Sequence, residues 1–142
     1  MPKYKILGFI PARSGSKRLK DKNLRLFLGN PLIYHTIKFS KKISLSDIFV
    51  STDSKRILSY CKNLNIDNDY LRPKKLSGDK SQITDAILHC LKWLSEKRNK
   101  HFDAVMMLQP TTPYRNVKEI NSIIKIFKNK NYDSLATVSK AN

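Results

Sequence analysis

Arg13, Lys17 and Lys22 sit in one stretch, Ile10-Pro11-Ala12-Arg13-Ser14-Gly15-Ser16-Lys17-Arg18-Leu19-Lys20-Asp21-Lys22-Asn23, directly after an apolar segment. The small residues Ser14, Gly15 and Ser16 let the backbone approach a ligand closely, and the flanking cations supply charge. A loop of this kind suits a polyphosphate. Backbone N–H groups around Ser14 to Ser16 can form an anion-binding nest, Arg13 and Lys17 can hold terminal phosphates, and Lys22 can reach the phosphorus under attack. The loop has neither the glycine spacing of a dinucleotide fingerprint nor that of a P-loop. On charge pattern alone, a basic solvent-facing loop is the plainer reading.

Other reactive side chains are scattered. His35 and His89 fall within helical patterns and His101 at a helix end, where structural roles are expected. No Ser/His/Asp arrangement and no zinc-ligand spacing is visible. Cys61 and Cys90 occupy apolar helical positions without a Cys or His neighbour, which reads as buried free thiols in a reducing compartment. Asp53 has two readings. The preferred one is a helix N-cap, and the other is a strand-end carboxylate that orients a site loop. Thr111 and Thr112 lie between two prolines that stiffen their turn, and their hydroxyls either touch a substrate or cap the next helix.

The elements that must position these groups alternate. Strand patterns fall at Lys5 to Ile10, Ile48 to Ser51, near Asp69 to Leu71, at Ala104 to Leu108 and from Leu135 to Val138. Helical spacing begins at Pro31, after Asp53 or Ser54, at Ile83 and after Asn116. The continuous apolar run Ala104-Val105-Met106-Met107-Leu108 predicts a central parallel strand covered on both faces. The order predicts a three-layer α/β fold, a mostly parallel open sheet with helices on both faces. Ligands of such sheets gather at the carboxyl ends of the strands, here the loops after Ile10, Ser51, Leu71 and Leu108. A strand pattern so near Asn142 predicts an architecture that is incomplete at its C-terminal side.

The 142 residues suit one domain with a real core. Hydrophobic content of 40% and charged content of 27% are those of an ordinary soluble protein. No apolar run approaches spanning length and no signal-peptide pattern opens the chain, so a cytoplasmic location without a membrane partner is expected. The net charge of +17 raises the question of nucleic acid. The lysines are spread along the chain without a basic stripe interleaved with aromatics, so a solvated lysine-rich surface, and no nucleic-acid partner, is the reading preferred over a basic nucleic-acid-binding domain.

Pro11-Ala12-Arg13-Ser14-Gly15-Ser16-Lys17 followed by Lys22-Asn23-Leu24 resembles the signature loop of the acylneuraminate cytidylyltransferases, the CMP-sialic acid synthetase family. Three further segments follow in the family's order: Val50-Ser51-Thr52-Asp53-Ser54, Leu71-Arg72-Pro73 with Leu76 and Asp79, and Leu108-Gln109-Pro110-Thr111-Thr112-Pro113-Tyr114-Arg115. The resemblance runs from about Lys5 to the end of the chain. It implies a Rossmann-like nucleotidyltransferase fold, residues 1–142 forming the nucleotide-binding part of a single cytidylyltransferase domain.

It also implies a reaction. The anomeric hydroxyl of a nonulosonic acid attacks the α-phosphate of CTP, giving a CMP-sugar and pyrophosphate for lipopolysaccharide or capsule biosynthesis. By position, Arg13, Ser14, Gly15, Ser16 and Lys17 resemble nucleotide contacts, and Arg13 and Lys22 the catalytic cations. Asn23 resembles a ribose contact, and Arg72 and the backbone near Ser81 a cytosine site. Gln109, Thr111 and Thr112 resemble sugar contacts. Where family members often carry a hydroxyl residue facing the base, this chain has Ile83, with Ser81 and Thr84 nearby. The family's metal-binding aspartates and much of its dimerisation region belong to a C-terminal part that the resemblance places beyond residue 142. Mg²⁺ is therefore expected to arrive on the CTP phosphates, and a homodimer to depend on that further part. Two other readings stay open: a 3-deoxy-octulosonate-type cytidylyltransferase, which the Gln109–Pro113 loop disfavours, and a remnant that binds CTP without turnover.

Overall fold

The computed structural model describes residues 4–141. Strand β1 (Ile6–Pro11) is the axis of the molecule. It pairs in parallel with β4 (Asp47–Ser51) on one side and with β5 (Ala104–Met107) on the other. The register sets Phe9 against both Phe49 and Met107. A short antiparallel hairpin, β2 (Leu26–Phe27) and β3 (Asn30–Pro31), stands apart from this sheet. Its Leu28-Gly29 loop has positive φ at both residues, 51° and 83°, as a two-residue hairpin turn of the primed type requires.

Alternation along β1 decides what each face carries. Ile6 and Ile10 point to a layer containing α1 (Leu32–Ser40), α2 (Lys55–Asn63) and α4 (Val117–Lys130), where they meet Ile33, Ile37, Ile57, Cys61, Ile120 and Ile124. Leu7 and Phe9 point to the opposite layer, formed by α3 (Ile83–Arg98), where they meet Phe49, Tyr70, Ala86, Cys90 and Leu94. Helices therefore cover both faces of the parallel sheet, as the alternation of patterns predicted. Between the two sets stands Gly8, where an added Cβ would lie 2.5 Å from Leu45 Cδ1, so the missing side chain is what admits Leu45 against the strand.

Asn116 caps α4 as expected, and of the two candidates for α2, Asp53 and Ser54, it is Ser54 that caps. Ser54 Oγ accepts from Ile57 N–H at 3.2 Å, and Asn116 Oδ1 from Glu119 N–H at 3.0 Å. Cys61 and Cys90 are free and buried, and burial pushes both thiols up to about 12. His35 Nε2 lies 2.6 Å from the Phe27 carbonyl and His89 Nδ1 lies 2.8 Å from the Tyr70 hydroxyl, tying α1 to the hairpin and α3 to the 64–72 connection.

Four local expectations are corrected. The stretch around Asp69 to Leu71 is not a strand. Asp69 has φ +27°, and the outer edge of β4 is met instead by one side chain, as Val50 N–H donates to Asn68 Oδ1 and Asn68 Nδ2 donates back to the Val50 carbonyl. Leu135 to Val138 is also not a strand. These residues are exposed, and no neighbouring strand pairs with them among the described residues. Among the described residues the apolar run at β5 is an edge strand rather than a central one, because the order β4-β1-β5 gives the centre to β1. α3 ends at Arg98 on a left-handed Asn99, so His101 lies beyond the helix and not at its last turn. No helix among the described residues is long and apolar enough to cross a membrane.

Candidate active site

The chain leaves the centre of the sheet at Pro11 while β4 and β5 flank it, and that divergence of connections opens a crevice at the carboxyl ends of the strands. Ala12 N–H donates to the Ser51 carbonyl at 2.9 Å, so the first residue of the loop is still tied to β4. The far end of the loop is fixed by Asn23, which is buried and donates from Nδ2 to the Arg13 carbonyl at 3.2 Å. Between those ties, Asp21 takes a left-handed conformation and starts the short helical turn Lys22–Leu24. That turn brings Lys22 back beside Arg13 in one cleft of about 310 Å³.

Asp53 holds the middle of the loop. Its Oδ1 accepts from Ser14 N–H and its Oδ2 from Ser14 Oγ, both at 2.8 Å. The preferred N-cap reading of Asp53 is therefore wrong: the neighbouring Ser54 caps α2, and Asp53 is a strand-end carboxylate that orients the loop. The same contacts alter the expected nest. Ser14 N–H is committed to Asp53 and Ser16 N–H to the Ser14 carbonyl at 3.0 Å, so these amides do not converge on an open anion seat in this conformation. Gly15 faces open space, with nothing within 4 Å of where a Cβ would be.

The second wall comes from the loop after residue 71. Arg72 is 4% exposed, and among the described residues no carboxylate pairs with it. Its Nε donates to Ser51 Oγ at 2.8 Å, its Nη2 to the Ser51 carbonyl at 2.9 Å and its Nη1 toward the Leu76 carbonyl at 3.5 Å. The Arg72 N–H donates to the Thr52 carbonyl at 2.7 Å. Burial lowers the proton affinity of the guanidinium from its ordinary value. The residue thus pins the 72–77 segment to the end of β4 while still bordering the cleft. Beyond it, Ser81 Oγ accepts from Gly78 N–H and donates to the Lys75 carbonyl, both at 3.1 Å, closing a tight polar loop.

The third wall is the loop after β5. Leu108 N–H donates to the Phe9 carbonyl at 2.8 Å, continuing the strand pairing by one residue and delivering Gln109 to the cleft. Arg115 fixes that loop from below, donating to the Gln109 carbonyl at 2.7 Å and to Thr36 Oγ1 at 3.4 Å, with its guanidinium over the Phe39 ring.

Of the expected site residues, Arg13, Ser16, Lys22, Asn23, Arg72, Ser81, Gln109 and Thr111 border the one cleft. Thr112 turns instead to the hollow on the other side of its loop, between β5 and α4. Lys17 stays outside on an exposed side chain and reaches in only as far as Asp79. The cleft's charged lining is Arg13, Lys22 and Arg72 against the single carboxylate of Asp79, an excess of positive charge suited to an anion. Two roles escaped the sequence. The Asp53–Ser14 tether was legible only as the less favoured of two readings. The contact of Asp79 with Arg13, 66 positions earlier, had no local signal. Gln82 also borders the cleft, and no motif pointed to it. Among the described residues no three His, Cys, Asp or Glu side chains converge as metal ligands. Asp53 and Asp79 are engaged with Ser14 and with cations, so this donor set does not fit a Mg²⁺ cage supplied by the protein.

Residues 7–141 match the family model described as cytidylyltransferase. The chain belongs to the cytidylyltransferase family. It is 39% identical over 125 residues to the CMP-N,N'-diacetyllegionaminic acid synthase of Legionella pneumophila, covering 87% of this chain and 53% of that protein. It is 30% identical over 140 residues to the N-acylneuraminate cytidylyltransferase of Escherichia coli O18:K1:H7, covering 97% of this chain and 32% of that protein. The pseudaminic acid cytidylyltransferase of Campylobacter jejuni serotype O:23/36 is 34% identical over 113 residues, 79% of this chain and 48% of that protein. The chain thus spans about half, or less, of the length of these curated relatives. Its fold is that of the CMP:2-keto-3-deoxy-manno-octonic acid synthetase solved with CTP, at a TM-score of 0.72 and 20% identity over 89% of this chain and 48% of that one. A cytidylyltransferase from Leptospira borgpetersenii gives a TM-score of 0.63 at 19% identity over 89% of this chain and 50% of that one.

Proposed function

We propose that the cleft binds CTP and serves transfer of its cytidylyl group to an acidic nonulosonic sugar. The observation that carries this reading is the convergence of Arg13, Ser16, Lys22, Asn23, Arg72, Ser81 and Gln109, drawn from the loops after β1 and β5 and from the 72–81 segment, on one positively charged cleft in a chain of this family. The anomeric hydroxyl of the sugar attacks the α-phosphorus. A new P–O bond forms, the bond to the β-phosphate oxygen breaks, pyrophosphate leaves, and the hydroxyl proton passes to solvent.

Such a reaction asks mainly for positioning and charge neutralisation. In this reading Arg13 and Lys17 hold the β- and γ-phosphates, which pass Ser16 and the open face of Gly15 while Ser14 stays tied to Asp53. Lys22, on its short helical turn, neutralises charge that builds at the α-phosphate. Asn23 serves the ribose, Arg72 and the Ser81 segment the base, and Gln109 and Thr111 the acceptor sugar. Thr112, which lines the hollow on the other side of its loop, is left out of this assignment. Mg²⁺ would be held by the CTP phosphates rather than by the described residues, and would supply further charge neutralisation there. The nonulosonate reading is preferred over a 3-deoxy-octulosonate one because the legionaminic, acylneuraminic and pseudaminic relatives include the higher identities. The setting we infer is cytoplasmic, feeding surface polysaccharide or lipopolysaccharide assembly. A homodimer would form through parts the relatives possess beyond this chain's span.

The test is direct. CTP, Mg²⁺ and a panel of nonulosonic acids are supplied and pyrophosphate is followed, with CTP binding measured separately by thermal shift. Release of pyrophosphate is expected, and Lys22→Ala should reduce turnover far more than it weakens CTP binding. A CTP-induced rise in melting temperature without pyrophosphate would reduce the chain to a binding module. No shift with CTP at all would remove the nucleotide reading.

A further inference from the structure

The positive seat at the mouth of the cleft already holds an anion that belongs to the protein. Arg13 Nη1 donates to Asp79 Oδ1 at 2.9 Å, and Lys17 Nζ lies 3.3 Å from Asp79 Oδ2. One carboxylate therefore bridges the two cations assigned above to the terminal phosphates, with one oxygen on each. The bridge is built from opposite sides of the cleft, 66 and 62 positions apart in sequence. It lies at the surface, with 44% of the Asp79 side chain exposed, and Asp79 sits in the loop closed by Ser81, next to Gly78, where an added Cβ would meet only Ser81 Oγ at 3.6 Å. The hydrogen bond from Arg13, followed by that from Lys17, holds the carboxyl below its ordinary value.

Resting on the nucleotide reading above, we propose that Asp79 is an internal stand-in for the polyphosphate, which a ligand must displace to reach Arg13 and Lys17. Arg13 Nη1 and the Lys17 ammonium each direct a donor at the carboxylate, so a phosphate that takes those same donors must displace Asp79. Any ligand that reaches the seat therefore binds against the same competing contact, whereas a ligand confined to the base and ribose pockets does not. Asp79 thus separates nucleotides by the length of their phosphate chain. It weakens CTP and pyrophosphate by a common factor, keeps the two cations ordered in the empty state, and returns to them when pyrophosphate leaves.

The common factor is the measurable signature. Exposed ion pairs are individually weak, so displacing these two corresponds to about twofold to tenfold in affinity. In isothermal titration at fixed ionic strength, Asp79→Asn is expected to lower Kd for CTP and for pyrophosphate by the same factor in that range, and to leave Kd for cytidine unchanged. Removing a negative charge also raises the local potential for every anion. Asp85→Asn, at the exposed first turn of α3 and without an ion pair among the described residues, is the control for that effect. Equal gains in Asp85→Asn and Asp79→Asn would show a field effect and overturn the proposal, as would an unchanged or weaker CTP affinity in Asp79→Asn. Failure of the wild-type chain to bind either CTP or pyrophosphate would instead overturn the nucleotide reading itself.

Discussion

Arg72 is a cation buried at the end of the central sheet without a carboxylate bonded to it, and its removal tests whether it is a strut or a free base-reading group. In Arg72→Met the hydrocarbon volume is largely kept, but Ser51 Oγ and the Ser51 carbonyl lose donors at 2.8 and 2.9 Å. Hydrogen bonds to charged groups contribute about 1.5–3 kcal/mol each, and burying the charge itself offsets part of that gain. The 3.5 Å approach to Leu76 adds little. A net loss of about 2–4 kcal/mol is expected. For a domain of this size that lowers Tm by roughly 6–12 °C. Arg72→Lys should recover only part of the loss, because one ammonium cannot reproduce the planar fork that spans Nε and Nη2. Urea unfolding with an unchanged m value supplies the free energy and a melting scan the temperature. If Arg72→Met melts within a degree or so of wild type while CTP binding collapses, the guanidinium is not the strut described here and faces the base instead.

Other expectations follow from neighbouring contacts. Asp53→Ala releases Ser14 N–H and Oγ, and CTP affinity should fall roughly tenfold, the equivalent of one charge-assisted hydrogen bond. Tighter CTP binding in that variant would show that the charge of Asp53 outweighs its tether. Asp69 bonds Lys62 at 2.8 Å, and that bond holds its carboxyl below the ordinary value. A depressed folded-state pKa contributes stability that is present above the unfolded value of about 3.9 and is lost as pH falls through the folded value. The stability difference between wild type and Lys62→Met should therefore be flat from neutral pH down to about pH 5 and shrink below pH 4; a difference that persists at pH 2 would contradict the pairing. The Cys61 and Cys90 thiols, buried and pushed up to about 12, should resist a disulfide reagent at pH 8 in the native state and both react once urea unfolds the chain. Rapid native labelling of either would show that the helix it sits on opens readily.

Period and chemistry made much of this protein legible from its sequence. The two-residue alternation of Ile6, Leu7, Phe9 and Ile10 states which side chains face which layer, because neighbouring residues of a strand must point to opposite faces. Helical spacing places Ile33 and Ile37, or Cys90 and Leu94, on one side for the same reason. Asn116 announces a helix start because a short polar side chain satisfies the first free N–H groups, whereas Asp53 and Ser54 offer the same chemistry side by side and the sequence does not choose between them. Motif order brought the loops of the cleft into one hypothesis, since the loops after β1 and β5 emerge at the same end of a parallel sheet, while the 72–77 segment is carried there by the bonds of Arg72 to Ser51.

Strand identity at the edges was not legible. The apolar run from Ala104 to Met107 reads as central, yet whether a strand is central depends on what lies beside it, and its own residues do not contain that. Asp69 to Leu71 has strand-like composition, but a positive φ at Asp69 and the Asn68 side chain replace the ladder, a choice made by the neighbouring β4 edge. The sequence by itself determined the layered α/β fold, the cationic loop after β1 and the family to which the chain belongs. Only the tertiary structure decided what the carboxylates do: that Asp53 tethers Ser14 across 39 positions and Asp79 bridges Arg13 and Lys17 across more than 60. Local propensity acts over a turn of chain, whereas the partner of a charge is whichever group the folded sheet carries to within hydrogen-bond reach.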